Sequence, residues 1–108
     1  MTYIYDPEEM NPRELAPGVN LRTMSGEKMM LSVVNIDADA VMPPHAHPHE
    51  QAGMVLEGEF EFTIGGDTQT VKKGDVYIIP GGVEHSLRAN REPSLALDIF
   101  SPPREDYM

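Results

Sequence analysis

Three histidines in two separated stretches are the residues of this sequence best suited to chemistry. His45 and His47 lie two residues apart, and His85 follows about forty residues later. Side chains at positions i and i+2 of an extended strand point to the same face, so the first pair can present two imidazole nitrogens to one ion. Gln51, four residues beyond His47, offers an amide oxygen. With a third nitrogen from His85, these side chains predict a metal site.

Two spacing patterns surround these side chains. The first, His-x-His-x3-Gln-x6-Gly, ends at Gly58, and the second, Gly-x5-Pro-x-Gly-x2-His, begins at Gly74. Together they resemble the paired motifs of the cupin superfamily, with motif 1 at residues 41–58 and motif 2 at residues 74–90. The resemblance implies an all-β fold, a double-stranded β-helix or jelly-roll barrel. It also implies a divalent metal held by His45, His47, Gln51 and His85.

Gln51 departs from the usual superfamily pattern, which has a glutamate at this position. Glu50 is a competing oxygen donor, but it stands one residue short of the motif position, so Gln51 is favoured. Three imidazoles and an amide are neutral and leave the charge of a divalent ion uncompensated. Such an ion suits a Lewis acid better than a redox centre whose higher oxidation states need an anionic ligand. The sequence leaves the choice among Ni, Zn, Mn, Fe and Cu open.

The C-terminal run from Asp98 to Asp106 resembles the tail of the KdgF-type cupins, the pectin-degradation proteins, which also carry glutamine as the fourth ligand. The same family typically has the turn His-Pro-His, found here at residues 47–49. This resemblance implies an enzyme that opens the ring of 4,5-unsaturated uronic acids from pectin or alginate breakdown, giving the linear deoxy-keto sugar acid. The expected partner is therefore a small anionic sugar acid, in a pocket lined by Asp98, Phe100 and Arg104.

The sequence around Asp98, Phe100 and Arg104 also supports roles for these side chains in substrate binding and proton transfer. Asp98 stands on an apolar strand with Phe100 on the same face, and a carboxyl group so placed can have a raised pKa and exchange protons with a substrate. Arg104 can pair bidentately with a carboxylate. We therefore expect Asp98 to move protons, Arg104 to orient the anion and Phe100 to line the pocket.

Other functions fit parts of the pattern. A metal-dependent dioxygenase is one, because many cupins activate oxygen, although the neutral Gln51 counts against it. A non-catalytic cupin that binds a sugar or another small ligand is a second. A storage or structural cupin is a third, but it would not need a complete ligand set. His49, in the turn after the first histidine pair, is expected to face solvent rather than bind the metal.

Composition narrows the class of protein further. The 108 residues are enough for one domain, 1–108, and 18 acidic against 8 basic side chains give a net charge of −10, which argues against a nucleic-acid partner. Cysteine is absent, so a metal must take nitrogen and oxygen ligands. No apolar run is long enough for a membrane span, and residues 1–14 lack the pattern of a signal peptide, so a cytoplasmic location is expected.

Short apolar runs separated by Gly, Pro and Asp predict an all-β chain. The clearest hairpin turns at Gly65-Gly66, where paired glycines supply the positive φ of a tight turn. Residues 1–18 contain three prolines and predict an irregular arm, a loop or one helical turn rather than a strand. The predicted strands are Val19–Met24, Met29–Ile36, Gly53–Leu56, Gly58–Ile64, Thr68–Lys72, Val76–Ile79, Glu84–Ala89 and Leu95–Phe100.

Two of these strands are apolar on both faces. In the second, Leu31 and Val33 alternate with Val34 and Ile36, and the last strand places Leu97 opposite the presumed pocket face. An outward apolar face in a small barrel needs a cover. The sequence therefore predicts a homodimer.

Overall fold

The structure, a computed structural model, describes residues 3–108. It contains ten strands and two single-turn 3-10 helices, Pro7–Glu9 and Glu105–Tyr107, and this range includes no helix long and apolar enough to cross a membrane. The strands are β1 (Arg13–Ala16), β2 (Val19–Ser25), β3 (Met30–Ile36), β4 (Val41–His45), β5 (Glu50–Glu57), β6 (Glu59–Ile64), β7 (Asp67–Lys72), β8 (Val76–Ile79), β9 (His85–Ala89) and β10 (Ser94–Ser101).

The strands form two antiparallel sheets with a common apolar core. One sheet has the order β1-β2-β3-β10-β5-β8 and the other has the order β4-β9-β6-β7. Alternating inward side chains of both sheets fill the space between them, as in other β-sandwiches. The all-β jelly-roll prediction is confirmed. The largest fully buried apolar side chains are Val19, Met30, Ile36, Val55, Phe60 and Ile79.

All eight predicted strands are present, with small differences at their ends. The hairpin between β6 and β7 turns at Gly65 and Gly66, whose φ angles are 58° and 84°. Two residues with positive φ give the twist that joins neighbouring antiparallel strands most easily. The largest difference is at β5, predicted to span Gly53–Leu56 but found over Glu50–Glu57, which brings Gln51 into the strand.

The N-terminal prediction was partly wrong. Of residues 1–18, the first two lie outside the described part of the chain, and Pro7–Glu9 forms the expected helical turn. The segment Arg13–Ala16, however, is strand β1, paired with β2. Leu15 packs against the core, and this burial outweighs the interruptions by the flanking prolines.

Strand β4 was also missed as a separate element. Pro43 and Pro44 interrupt the sequence pattern, and the register between β4 and β9 shifts between Met42 and His45. Prolines are tolerated at such irregular positions and at sheet edges, and β4 is an edge strand. The strand ends at His45, so His47 lies in the following loop rather than on one continuous strand with it.

The two sequence motifs meet across both sheets. Motif 1 supplies β4 and β5, and motif 2 supplies β8 and β9. In one sheet β4 pairs with β9 so that His45 lies opposite His85. In the other sheet β5 pairs with β8 so that Gln51 lies opposite Ile79. The pairing therefore brings the predicted ligands to one end of the space between the sheets.

The six-stranded sheet has an apolar outer surface. Five of its outward side chains, on β3, β10, β5 and β8, are 37% to 69% exposed in a single copy of the chain. The two-sided apolar pattern of β3 and β10 is thus present, and the outward side is uncovered by the described residues. We call this surface the outer apolar face, and it comprises Leu31, Met54, Val76, Ile78 and Ile99.

Candidate active site

Three imidazole rings converge at one end of the barrel. His45, His47 and His85 each present a nitrogen, and these three atoms lie within 4.8 Å of one another. The ring centroids of His45 and His85 are 4.2 Å apart, and those of His47 and His85 are 5.0 Å apart. Such a spacing lets all three nitrogens reach a single ion.

Hydrogen bonds to backbone carbonyls fix the tautomer of each ring. His45 Nδ1 lies 3.1 Å from the Pro43 carbonyl oxygen, and His85 Nδ1 lies 2.9 Å from that of Val83. His47 Nδ1 makes the same contact, at 3.1 Å, with the carbonyl of His49. Because a carbonyl oxygen only accepts, Nδ1 carries the hydrogen in each ring and Nε2 presents a lone pair. Backbone carbonyls that accept a hydrogen bond from Nδ1 in this way orient metal-binding histidines.

Gln51 completes the donor set. Its Oε1 lies 3.1 Å from His47 Nε2, and with Nδ1 of His47 protonated both atoms point lone pairs into the same space. His85 Nε2 is buried and has no hydrogen-bond partner among the described residues. A buried acceptor without a partner costs free energy, and a cation at this position would remove that cost. The four side chains therefore fit a divalent metal.

Burial keeps two of the imidazoles neutral. Desolvation by burial, together with the positive charge of the nearby Arg104, lowers the pKa of His47 to about 4. Burial likewise lowers the pKa of His85. Because a metal binds only the neutral imidazole, these two ligands need not lose a proton at neutral pH.

The glycines of motif 2 hold the loop that carries His47. The Gly82 amide donates a 2.8 Å hydrogen bond to the His47 carbonyl. A Cβ at Gly81 would overlap the carbonyl oxygen of Pro48, so this position needs glycine for close approach. His49, which we expected to face solvent, is half-buried, and its Nδ1 is shielded from water.

Asp98 forms a buried acid pair with Tyr77. The Tyr77 hydroxyl donates a 2.5 Å hydrogen bond to Asp98 Oδ1. The carboxyl is 9% exposed, and its burial raises its pKa to about 6, although hydrogen bonds from Tyr77 and Gln51 act in the opposite direction. Burial, together with the negative charge of Asp98, raises the pKa of Tyr77, so the phenol stays protonated as the donor. Asp98 can therefore exist in both protonation states near neutral pH.

The C-terminal residues cover this side of the cavity. The guanidinium of Arg104 lies 3.9 Å from the ring centroid of Tyr107 and 5.2 Å from that of Phe100. Arg104 is 8% exposed, and Asp106 accepts two hydrogen bonds from it, at 2.8 and 3.3 Å. Stacking and pairing hold the guanidinium in one orientation with donors left over for an anion.

Residues 32–100 match the family described as a cupin domain. The chain belongs to the cupin family. Over 97 residues it is 31% identical to the pectin degradation protein KdgF of Dickeya dadantii, a match that spans 88% of each chain.

Two solved structures share the entire fold of this cupin. KdgF from a Halomonas species has a TM-score of 0.91 and 29% identity, and the match covers 100% of both chains. An RmlC-like cupin from Shewanella frigidimarina also has a TM-score of 0.91, with 26% identity over 100% of this chain and 97% of that one. These similarities agree with the resemblance to KdgF-type cupins.

The cupin brings most of its predicted site residues to one cavity between the sheets. His47 stands beside this lining, with its ring centroid 5.6 Å from that of Phe100. Tyr77 and Tyr107 also line the cavity and were not singled out from the sequence. The predicted residues that line it are His45, Gln51, His85, Asp98, Phe100 and Arg104.

Proposed function

We propose that this cupin opens the ring of 4,5-unsaturated uronates to the linear deoxy-keto acid with the help of a divalent metal. One observation carries the proposal. A buried carboxyl with a pKa of about 6, a buried guanidinium and two of the three clustered histidines line one cavity, and the third histidine stands beside it. The similarity to pectin degradation protein KdgF of Dickeya dadantii supports an unsaturated uronate as the substrate.

The reaction requires proton transfer and no redox change. The hemiacetal hydroxyl at C1 loses its proton, the bond between C1 and the ring oxygen breaks, and the C1 aldehyde forms. The ring oxygen is left as an enolate across C4 and C5, and protonation at C4 yields the ketone. One proton leaves O1 and one arrives at C4, so a single carboxyl can do both. Asp98, with a pKa of about 6, is suited to accept the first proton and deliver the second.

Arg104 is proposed to bind the uronate carboxylate. Its guanidinium is fixed between Phe100 and Tyr107, so little conformational freedom is lost when an anion binds. Asp106 neutralises part of its charge and holds its Nε and one terminal nitrogen. The remaining nitrogen hydrogens can still reach a carboxylate.

His45, His47, Gln51 and His85 are proposed to hold the metal. When bound, a divalent ion supplies a Lewis acid that polarises a substrate oxygen. The ligands add no negative charge, so the centre keeps an attraction for an anionic sugar acid despite the acidic surface of the chain. The choice among Ni, Zn, Mn, Fe and Cu is left to measurement.

The test follows the ultraviolet absorbance of 4,5-unsaturated galacturonate over time. Metal-loaded protein, chelated protein and buffer alone are compared at the same pH. The proposal expects faster decay of the double bond only with metal-loaded protein. Decay at the buffer rate in all three would contradict it, and oxygen uptake during the reaction would favour a dioxygenase. Binding of the uronate with its double bond intact would favour a non-catalytic sugar-binding cupin.

A homodimer joined through the outer apolar face is part of the proposal. The five side chains that define this face are apolar, although the chain as a whole carries a net charge of −10. Two copies that meet there avoid the repulsion that their acidic surfaces would cause elsewhere. A contact between identical faces also closes on itself as a two-fold dimer.

A further inference from the structure

Ser32 is a buried serine whose hydroxyl has no partner. It is 0% exposed, and among the described residues nothing accepts from or donates to its Oγ. Strand β3 alternates so that Ser32 points inward between Met30 and Val34, and it lines the central cavity. A hydroxyl buried without a hydrogen bond costs free energy. A serine at this position of the core therefore requires an explanation.

The strand register places Ser32 beside the proposed proton-transfer group. On β10 its partner is Asp98, and on β2 its partner is Thr23. Asp98 in turn pairs with Gly53, and Gly53 pairs with Tyr77. One row, made of four polar side chains and Gly53, therefore crosses five strands on the inner face of the sheet. Side chains directly opposite each other in such a row have Cβ atoms about 5 Å apart.

The other hydroxyls of this row are engaged. The Tyr77 hydroxyl donates to Asp98, and Thr23 Oγ1 donates to the Tyr107 carbonyl at 3.2 Å. Among the described residues, the Ser32 hydroxyl is therefore the one in this row that is still free to bind another molecule.

The rows on either side of Ser32 define what it can meet. The next row toward the histidines contains Gln51 and Phe100. The next row in the other direction is apolar and contains Val34 and Ala96. Ser32 and Asp98 therefore form the last polar level before the apolar end of the cavity. A sugar that reaches Asp98 would place a neighbouring ring hydroxyl against Ser32.

We infer that the Ser32 hydroxyl binds a ring hydroxyl of the uronate and sets the preference between substrate epimers. The inference rests on the proposed function. Uronates from pectin and from alginate, once unsaturated at C4 and C5, differ in the relative configuration of their C2 and C3 hydroxyls. A fixed hydroxyl on one wall meets only one of these arrangements, and a buried group left without its partner disfavours the other.

The test compares Ser32→Ala with the wild type on both epimers. In the wild type, kcat/KM is expected to favour one epimer. In Ser32→Ala, it should fall about tenfold on the favoured epimer, mainly through KM, and the preference should largely disappear. Removal of an unpartnered buried hydroxyl should also raise the melting temperature of the ligand-free protein.

Ser94→Ala is the matched control. Ser94 is another buried serine, 4% exposed, but its hydroxyl donates to the Glu59 carbonyl at 3.2 Å, and it lies outside the cavity lining. This variant should lower the melting temperature and leave the epimer preference unchanged. Equal wild-type efficiency on both epimers, or an unchanged KM in Ser32→Ala, would overturn the inference while the proposed function stands. A wild type that acts on neither epimer would overturn both.

Discussion

The Tyr77 hydroxyl reaches the Asp98 carboxylate across the backbone of Gly53 with a hydrogen bond of 2.5 Å. The three residues lie on neighbouring strands, with Gly53 between the other two. A Cβ at Gly53 would overlap both the carboxylate and the ring of Tyr77. Glycine at this position is therefore what allows two bulky side chains to meet, and Tyr77 is a positioning residue for Asp98.

Gly53→Ala should separate this pair. The added methyl group must displace either Tyr77 or Asp98, at a cost of about 1–3 kcal/mol in the free energy of unfolding. We expect a fall in kcat larger than the change in KM, measured together with a denaturant titration. Gly26→Ala is the control, because the nearest atom to its added methyl would be 3.8 Å away. Wild-type kcat in Gly53→Ala would contradict the role assigned to the pair.

Asp98→Asn should abolish turnover while the protein keeps its metal. The amide has nearly the same shape as the carboxyl but cannot accept and deliver a proton, and loss of a general acid–base costs about a hundredfold or more in rate. Initial rates of double-bond loss and the metal content of the purified variant are the two measurements. Full activity with normal metal content would exclude the proton-transfer role.

The same substitution should change how stability depends on pH. Burial raises the pKa of Asp98 from 3.8 to about 6 in the folded protein, so folding favours the protonated carboxyl. This contribution is fully present below pH 3.8 and is lost as pH rises through about 6. Relative to the wild type, chelated Asp98→Asn should gain about 2–3 kcal/mol between pH 4 and pH 7. Denaturant titrations of both proteins at each pH measure this difference, and a constant difference would contradict it.

The two motifs were enough to predict that the three histidines and Gln51 lie close together. His45 and His85 are register partners on adjacent strands, so the two motifs must meet wherever β4 and β9 pair. Gln51 follows because a short turn leads directly from His47 into β5. Each of these contacts is either close in sequence or part of a motif with fixed spacing. Such contacts can be predicted from the sequence.

The partners of Asp98 could not be predicted in the same way. The contact with Tyr77 depends on the register of β10 with β5 and of β5 with β8, and a single sequence does not specify either pairing. Strand β1 was missed for a related reason. Its stability comes from the packing of Leu15 on the core, a tertiary effect that overrides local prolines.

His85→Ala should remove the stabilisation of the protein by metal. In the wild type, a free metal concentration one hundred times Kd should raise the free energy of unfolding by about 2.7 kcal/mol. Thermal unfolding of chelated protein, with and without added Ni²⁺ or Zn²⁺, measures the effect. His49→Ala is the control, since the contact of His47 with residue 49 uses the backbone carbonyl, which alanine keeps. An equal loss in both variants would contradict the ligand assignment.

Arg104→Lys should weaken substrate binding. Lysine keeps the charge but loses the planar contacts with Phe100 and Tyr107 and the paired hydrogen bonds to a carboxylate. We expect KM to rise about tenfold to a hundredfold with a smaller change in kcat. Arg88→Lys, at an exposed position of β9, is the control and should behave as the wild type. An unchanged KM in Arg104→Lys would show that the carboxylate binds elsewhere.

Ile78→Glu should dissociate the proposed dimer. Ile78 is 69% exposed on the edge strand β8, within the outer apolar face that the dimer would bury, and a carboxylate there would lose its water without gaining a partner. Light scattering at micromolar concentration should give twice 12.0 kDa for the wild type and 12.0 kDa for the variant. Val41→Glu is the control, because Val41 is 48% exposed on the other sheet, and it should remain dimeric. A monomeric wild type would refute the dimer, and a dimeric Ile78→Glu with a normal circular dichroism spectrum would place the interface on another surface.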